Sequence, residues 1–180
     1  MRVIAGRFKG RRLKAPTWEG LRPTSDKLRE TLFNILAPRV EAARVLDGFA
    51  GTGAVGIEAL SRGAAHVTFI ENNRRAVALI EENLQACGVK GGYTIRCADV
   101  VAALNGLPAA DAFDLILLDP PYDIDNASAA LDAAARRLAG NGLVVLERAT
   151  RLEPGEPASV RRVRDVKSGD STLTFYSRLV

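Results

Sequence analysis

The run Asp119-Pro120-Pro121-Tyr122 carries the most specific chemical signal in the sequence. Proline has no backbone N–H, and a residue that precedes proline favours an extended backbone. The Pro120 carbonyl is therefore held as an acceptor beside the Asp119 carboxylate, and two acceptors can bind both hydrogens of one –NH₂ group. Tyr122 offers a flat ring on which a base can stack. The motif predicts four catalytic residues that orient a nucleobase amine toward an electrophilic methyl group.

A glycine-rich turn, residues 51–56, follows a predicted strand and opens a predicted helix. It matches the dinucleotide pattern G-x-G-x-x-G, and Glu71 stands twenty residues after Gly51, where an NAD enzyme places its ribose-binding acid. Asp47 favours a different ligand, because a carboxylate at the strand end repels a pyrophosphate and attracts an ammonium or sulfonium group. S-adenosylmethionine carries both of these cations. We therefore expect S-adenosylmethionine rather than NAD as the cofactor.

Further candidate cofactor contacts lie where the other predicted strands end, because the carboxyl ends of parallel strands line the ligand crevice. We expect Glu71 to accept hydrogen bonds from ribose hydroxyls and Asp99 to accept one from the adenine amine. Asp99 could instead be the N-cap of a helix that begins at Val100. Glycines in the turn let the backbone approach the ligand closely. The expected cofactor-binding residues are Thr24, Asp47, Phe49, Gly51, Gly53, Glu71, Asn72, Asp99, Val100 and Asp119.

Basic charge is concentrated at the N-terminus. Residues 1–22 contain seven Lys and Arg side chains and one Glu, a charge of +6, whereas the whole chain carries +4. A basic segment with interleaved aromatic residues suits the phosphates and bases of a nucleic acid. A solvated arm without a partner is the alternative. The expected RNA-binding residues are Arg7, Lys9, Arg11, Arg12, Lys14 and Arg22.

Short apolar runs alternate with helical patterns from residue 44 onward, which predicts βαβ units, a parallel sheet and the α/β class. We predict strands at 44–49, 66–71, 93–97, 113–119 and 142–147. A helix should begin at the caps Thr24-Ser25-Asp26 and end near Pro38. Valines at 160, 163 and 166 lead to a Ser168-Gly169-Asp170 turn, and the alternating apolar and polar residues after it predict a closing β-hairpin.

Length and composition indicate one water-soluble globular domain, with 180 residues, 47% hydrophobic and 26% charged. The sequence holds no apolar window long enough to span a membrane and begins with no signal-like run, so we expect a cytoplasmic protein. Cys87, Cys97 and His66 are too few for a disulfide framework or a structural zinc site. We therefore expect no metal.

The sequence resembles the bacterial 16S ribosomal RNA guanine-N2 methyltransferases of the RsmD type, a family of class I S-adenosylmethionine-dependent methyltransferases. The glycine turn and the Pro-Pro motif are common to the wider class, whereas other segments are typical of the family. Those segments are Ile4-Ala5-Gly6, Arg22-Pro23-Thr24, Arg29-Glu30, residues 32–36, residues 58–64 and Gly169-Asp170-Ser171. The resemblance runs over essentially the whole chain. Gly48 departs from it, because the family leads us to expect Leu there.

The resemblance implies a Rossmann-like class I methyltransferase fold with a mostly parallel seven-stranded sheet and a C-terminal antiparallel hairpin. It implies a small basic N-terminal extension at 1–22, which contacts RNA, and an S-adenosylmethionine-binding methyltransferase domain at 23–180. The implied reaction methylates the 2-amino group of a guanine in 16S ribosomal RNA, free or within a small-subunit particle, and we expect a monomer. Three alternatives remain: adenine in DNA, a protein glutamine, or a nucleotide- or RNA-binding module without catalysis.

Overall fold

The computed structural model of the chain describes residues 1–19, 24–121, 124–155 and 157–179, and their side chains except those of 124–126. Five helices and seven strands lie within these residues. The helices are α1 (Asp26–Val40), α2 (Ala54–Ser61), α3 (Arg74–Ala86), α4 (Val100–Gly106) and α5 (Ile124–Ala135). The strands are β1 (Arg44–Gly48), β2 (His66–Glu71), β3 (Tyr93–Cys97), β4 (Phe113–Leu118), β5 (Leu138–Ala149), β6 (Val160–Ser168) and β7 (Ser171–Arg178).

The strands form one seven-stranded sheet in the order β3-β2-β1-β4-β5-β7-β6. The first five strands in this order are parallel, and β7 is antiparallel to both β5 and β6. The strand order reverses between β1 and β4, which is the switch point where open α/β sheets bind ligands. The predicted fold class and the predicted C-terminal hairpin are confirmed, and Gly169 (φ 61°) stands in the hairpin turn.

Both faces of the sheet are covered, so the central strands are almost entirely apolar. Val45, Leu115, Leu117 and Val145 face one core, which is built with α1, α2 and α3. The alternate positions of the same strands face a second core, built with α4 and α5. The strand pleat therefore fixes which polar residues at the strand ends point toward α1.

Several predicted boundaries are corrected. β1 ends at Gly48, one residue early, because Phe49 adopts a left-handed conformation (φ 62°). β4 ends at residue 118, immediately before Asp119 and the two prolines. β5 begins at residue 138 rather than 142, with a register shift opposite β4. α1 continues through Pro38 to Val40, because a proline in the last turn removes only one helical hydrogen bond while Val40 stays buried.

Gly48, the position that departs from the family pattern, is closely packed. A Cβ atom built there lies 2.8 Å from Leu118 Cδ2 and 3.3 Å from Val100 Cγ1. Neighbouring side chains therefore fill the space that a larger residue would take. A leucine at this position would require both neighbours to move.

The basic N-terminal segment folds back on itself and packs against the domain. The Val3 N–H donates to the Arg11 carbonyl at 2.9 Å, and the Gly10 N–H donates to the Val3 carbonyl at 2.9 Å. Val3 and Leu13 are buried in the same core as α1, α2 and α3. We call residues 1–14 the N-terminal hairpin. The functional boundary after residue 22 stays a prediction, since residues 20–23 lie outside the described residues.

Buried polar side chains fasten the N-terminal hairpin to the helices. The carboxylate of Glu58 on α2, which is fully buried, accepts hydrogen bonds from the backbone N–H groups of Ile4 (2.8 Å) and Ala5 (3.0 Å). Asn83 on α3 accepts one from the Lys14 N–H at 2.7 Å. Gly6 approaches α2 so closely that a Cβ there would lie 2.0 Å from the Ser61 carbonyl oxygen.

Within the described residues, none of the helices combines the length and apolar character that crossing a bilayer requires.

Candidate active site

A cavity lies between α1 and the carboxyl ends of β1, β4 and β5, at the switch point of the sheet. It is partly open to solvent. Most of its wall is apolar, formed by Leu28, Leu32, Val55, Leu117, Leu118, Val145 and Leu173. Its polar lining residues are Thr24, Asp47, Asp119 and Glu147. Three carboxylates in an otherwise apolar cavity favour ligands that are cationic or rich in hydrogen-bond donors.

Strand register brings two of these carboxylates next to each other. Leu118 of β4 pairs with Leu146 of β5, so Asp119 and Glu147 occupy the next position on the two neighbouring strands. Strand alternation then sends both side chains toward the α1 face of the sheet. On that face, the Thr24 hydroxyl donates to Asp119 Oδ2 at 3.4 Å. The structure thus joins Thr24, Asp47 and Asp119, three of the residues predicted from the sequence, in one cavity.

Asp47 is a buried carboxyl group at the floor of this cavity. Its Oδ2 atom accepts a hydrogen bond from the Gly56 N–H at 2.8 Å. Burial, reinforced by the negative charge of Glu71, raises the pKa of Asp47 to about 8, although the Gly56 hydrogen bond acts in the opposite direction. A cation near Asp47 would favour the ionised form. The site therefore fits a ligand with an ammonium or sulfonium group, as S-adenosylmethionine has.

The glycine turn between β1 and α2 depends on left-handed backbone. Phe49 (φ 62°), Gly51 (φ 55°) and Gly53 (φ 75°) all lie in that region, and Phe49 is a non-glycine residue held there under strain. Gly56 serves helix packing instead, because a Cβ at that position would lie 2.2 Å from the ring of Phe69. The turn is thus tight, and Phe49 and Gly51 are its half-buried residues while Ala50, Thr52 and Gly53 are buried.

Glu71 is buried at the end of β2 and holds the glycine turn in place. Its Oε2 atom accepts from the Gly51 N–H at 2.8 Å, and its Oε1 atom accepts from the Asn73 N–H at 2.9 Å. A carboxylate has about four acceptor positions, so these two bonds leave capacity for ribose hydroxyls. The expected ribose contact stays a prediction, and anchoring of the turn is an additional role that the sequence did not reveal.

The other predicted cofactor residues lie at the ends of β2 and β3. Asp99 is the N-cap of α4, and its Oδ1 atom accepts from the Ala102 N–H at 2.8 Å, which is the alternative that the sequence left open. Asp99 remains exposed, so its carboxylate is still accessible to an adenine amine. Asn72 is exposed, whereas Val100 is buried against the Gly48 position.

The catalytic motif is described in part. Asp119 is half-buried in the cavity, Pro120 is buried and Pro121 is exposed. Tyr122 lies outside the described residues, so the stacking role stays a prediction.

The predicted RNA-binding side chains are exposed on the N-terminal hairpin, except Arg22, which lies outside the described residues. Some already have protein partners. Lys14 Nζ pairs with Glu82 at 2.8 Å, and the Arg7 guanidinium donates to the Leu60 carbonyl at 3.2 Å.

Within the described residues, His, Cys, Asp and Glu side chains nowhere cluster in groups of three that could hold a metal ion.

Glu147 is the polar residue of the cavity that the sequence reasoning missed. It ends the last predicted parallel strand, just as Asp119 follows the one before, so the rule about strand ends could have found it. Its proximity to Asp119 depends on β4 and β5 being neighbours, which becomes evident only in the sheet.

Comparison with known proteins identifies the family of the chain. The chain is 37% identical over 158 residues to the ribosomal RNA small subunit methyltransferase D of Haemophilus influenzae, covering 82% of this chain and 78% of the relative. It is 34% identical over 186 residues to the protein of the same name in Escherichia coli strain K12, covering 99% and 90%. The family model described as "Conserved hypothetical protein 95" matches residues 1–177. The chain belongs to this methyltransferase D family.

One similar solved structure is that of the protein described as "Putative methyltransferase yhhF" from Escherichia coli. That structure superposes on this one with a TM-score of 0.87 at 33% sequence identity, and the match covers 99% of this chain and 97% of the other. Near-complete coverage of both chains includes the N-terminal hairpin and the C-terminal strands. The family resemblance expected from the sequence is therefore confirmed.

Proposed function

We propose that this chain is an S-adenosylmethionine-dependent methyltransferase that methylates the 2-amino group of a guanine in 16S ribosomal RNA. Family membership supports the methyltransferase activity and the ribosomal RNA substrate. The observation that carries the proposal is the cavity at the switch point, where the buried Asp47 and the Asp119 of the Pro-Pro motif line the same space. One carboxylate suits a cationic cofactor, and the other suits an amine to be methylated.

The residues that would hold the cofactor extend from this cavity to β3. Asp47 would face the charged end of the cofactor, the backbone of the glycine turn would approach it, Glu71 would bind the ribose and Asp99 would bind the adenine amine. When bound, S-adenosylmethionine supplies a methyl group that its sulfonium already activates. NAD is disfavoured, because the carboxylates of the cavity would repel its pyrophosphate.

The chain's own task in catalysis is to position the acceptor. The Asp119 carboxylate and the Pro120 carbonyl would each accept a hydrogen bond from one amine hydrogen, which leaves the nitrogen lone pair free to face the methyl group. Positioning of this kind can account for much of the rate enhancement, and the apolar wall limits access of water. Tyr122 would stack on the base. Asp119 or water would take the proton that the methylated nitrogen loses.

The acceptor is proposed to be RNA because of the N-terminal hairpin. Its exposed basic side chains Arg7, Lys9, Arg11, Arg12 and Lys14 suit phosphates rather than a protein glutamine. The proposal includes action in the cytoplasm as a monomer, on naked RNA or on a small-subunit particle.

The proposed function is tested by mass spectrometry of 16S RNA from cells with and without this gene. We expect one guanine to lose an N2-methyl group in the deletion strain. Wild-type protein should restore it, D119A should not, and E81Q should restore it, because Glu81 is exposed on α3 away from the cavity. Unchanged guanine methylation in the deletion strain would reject the proposed reaction. Full restoration by D119A would remove Asp119 from the mechanism.

A further inference from the structure

Glu147 is a carboxylate in the proposed acceptor cavity to which the mechanism so far assigns no role. It lies on β5, half-buried, one position beyond the Leu118–Leu146 pair and beside Asp119. Neighbouring strands are about 4.8 Å apart, so the two side chains can reach adjacent atoms on the edge of a single base. Both are on strands or directly follow one, and a rigid framework of this kind fixes recognition groups more precisely than a free loop does.

A carboxylate is only an acceptor, so it selects a base that presents a donor. On the Watson–Crick edge of guanine, the N1–H donor stands directly beside the 2-amino group. In adenine, N1 is an acceptor, and a carboxylate placed there would repel it. We propose, on the basis of the proposed guanine-N2 activity, that Glu147 accepts the guanine N1–H while Asp119 holds the 2-amino group, and thereby makes the enzyme specific for guanine.

The surroundings of Glu147 suit this role. The Ser171 hydroxyl on β7 donates to Glu147 Oε1 at 3.3 Å, which orients the carboxylate from the side opposite Asp119 in the strand order. A carboxylate accepts about four hydrogen bonds, so the contact with Ser171 is compatible with a bond from the base. Leu173, which pairs with Glu147 across β5 and β7, contributes apolar wall to the same cavity. A hydrogen bond formed against that wall is poorly accessible to water and discriminates strongly between donor and acceptor.

The test replaces the target guanine by 2,6-diaminopurine, which keeps the 2-amino group but has an acceptor at N1. The substrate is 16S RNA, either free or reconstituted into the small-subunit particle. It is assembled by ligation so that it carries guanine or diaminopurine at one position, which is the position that loses its methyl group in the deletion strain. The values of kcat/KM are compared for wild type, E147Q, S171A and the control E81Q. The glutamine of E147Q is nearly isosteric with glutamate and can donate to N1 of diaminopurine as well as accept from guanine.

We expect wild type and E81Q to prefer guanine over diaminopurine by roughly tenfold to a hundredfold, the discrimination that a matched hydrogen-bond pair provides. In S171A, which lacks the hydroxyl that orients Glu147, the preference should be smaller than in wild type. In E147Q this preference should disappear or reverse, with the melting temperature and the affinity for S-adenosylhomocysteine close to wild type. An unchanged preference in E147Q, with guanine still methylated, would overturn the role of Glu147 and leave the proposed function intact. Failure of wild type to methylate the 2-amino group of guanine in this RNA would overturn both.

Discussion

At the scale of single residues, the buried Asp47 carboxyl lowers the stability of the fold as the pH rises, and the same group suits the binding of a cationic ligand. Its pKa rises to about 8 in the fold because of burial and the charge of Glu71, from an ordinary value of 3.8. Between these two values the folded state holds a proton that the unfolded state has released. The contribution of Asp47 to stability is therefore fully present below pH 4 and is lost as the pH rises toward 8. A cationic ligand reverses this loss, because it favours the carboxylate form.

We predict that D47N removes this pH dependence. The free energy of unfolding of D47N relative to wild type should increase between about pH 4 and 8, by at most about 1.4 kcal/mol per pH unit, since the asparagine does not titrate. Denaturant titrations at several pH values measure this difference. The same variant should bind S-adenosylmethionine more weakly in calorimetry. Parallel pH profiles for the two proteins would show that the Asp47 carboxyl titrates normally in the fold.

At the scale of elements, the N-terminal hairpin is joined to the domain through buried polar contacts. Glu58 accepts from two hairpin N–H groups and from the Arg62 guanidinium at 2.8 Å, and Arg29, also fully buried, donates to the Arg2 carbonyl. Leu13 and Val3 add apolar contacts to the core. Because the hairpin completes this core, deleting it would expose apolar surface and would confuse RNA binding with unfolding. Point substitutions separate the two effects.

We predict that E58A destabilises the protein strongly. The change leaves two backbone N–H groups without their acceptor and removes one of the two carboxylates that pair with the buried Arg29, which costs roughly 3 to 5 kcal/mol in the free energy of unfolding. The matched control is E82A, which breaks the exposed Lys14–Glu82 pair on α3 and should cost at most about 1 kcal/mol. Chemical denaturation measures both variants. Equal losses would mean that the hairpin is only loosely attached to the helices.

At the scale of the whole molecule, the charge distribution separates the two proposed binding functions. The cavity is lined by three acidic residues, and the N-terminal hairpin carries exposed cations beside α2 and α3. Phosphates of a large RNA would be attracted to the hairpin and repelled from the cavity, where only an uncharged base edge and a cationic cofactor fit. This arrangement favours entry of a base that has been turned out of the RNA toward Asp119.

We predict that R11A/R12A reduces the salt dependence of RNA binding. Each lost phosphate contact should lower the slope of log affinity against log salt by about 0.7, hence by about 1.4 for both, with weaker binding to any RNA sequence. Adding K14A should change the slope less, because Lys14 is paired with Glu82. The control R39A/R136A removes two exposed cations that lie outside the N-terminal hairpin, where α1 and α5 end. A wild-type slope in R11A/R12A would move the RNA contact elsewhere, with Arg161, Arg162 and Arg164 on β6 as the next candidates.

The sequence by itself determined what depends on local pattern. Short apolar runs that alternate with helical patterns specify the parallel strands. Glycine spacing specifies the turn after β1, and two adjacent prolines specify the acceptor motif after β4. Each of these features depends on a few consecutive residues. The predicted bounds of β2 and β3 match the structure. Asp47 and Asp119 were likewise predicted in the crevice, since strand ends in parallel sheets meet at one edge.

Only the tertiary structure decided what depends on residues far apart in the chain. Glu147 lines the cavity because β5 lies beside β4. The N-terminal hairpin is held in place because its backbone N–H groups donate to the side chains of Glu58, Ser61 and Asn83 on α2 and α3. The raised pKa of Asp47 likewise follows from burial beneath separate elements and from the charge of Glu71. Burial, and the partner that each polar group finds, are set by packing between elements, and no local pattern encodes them.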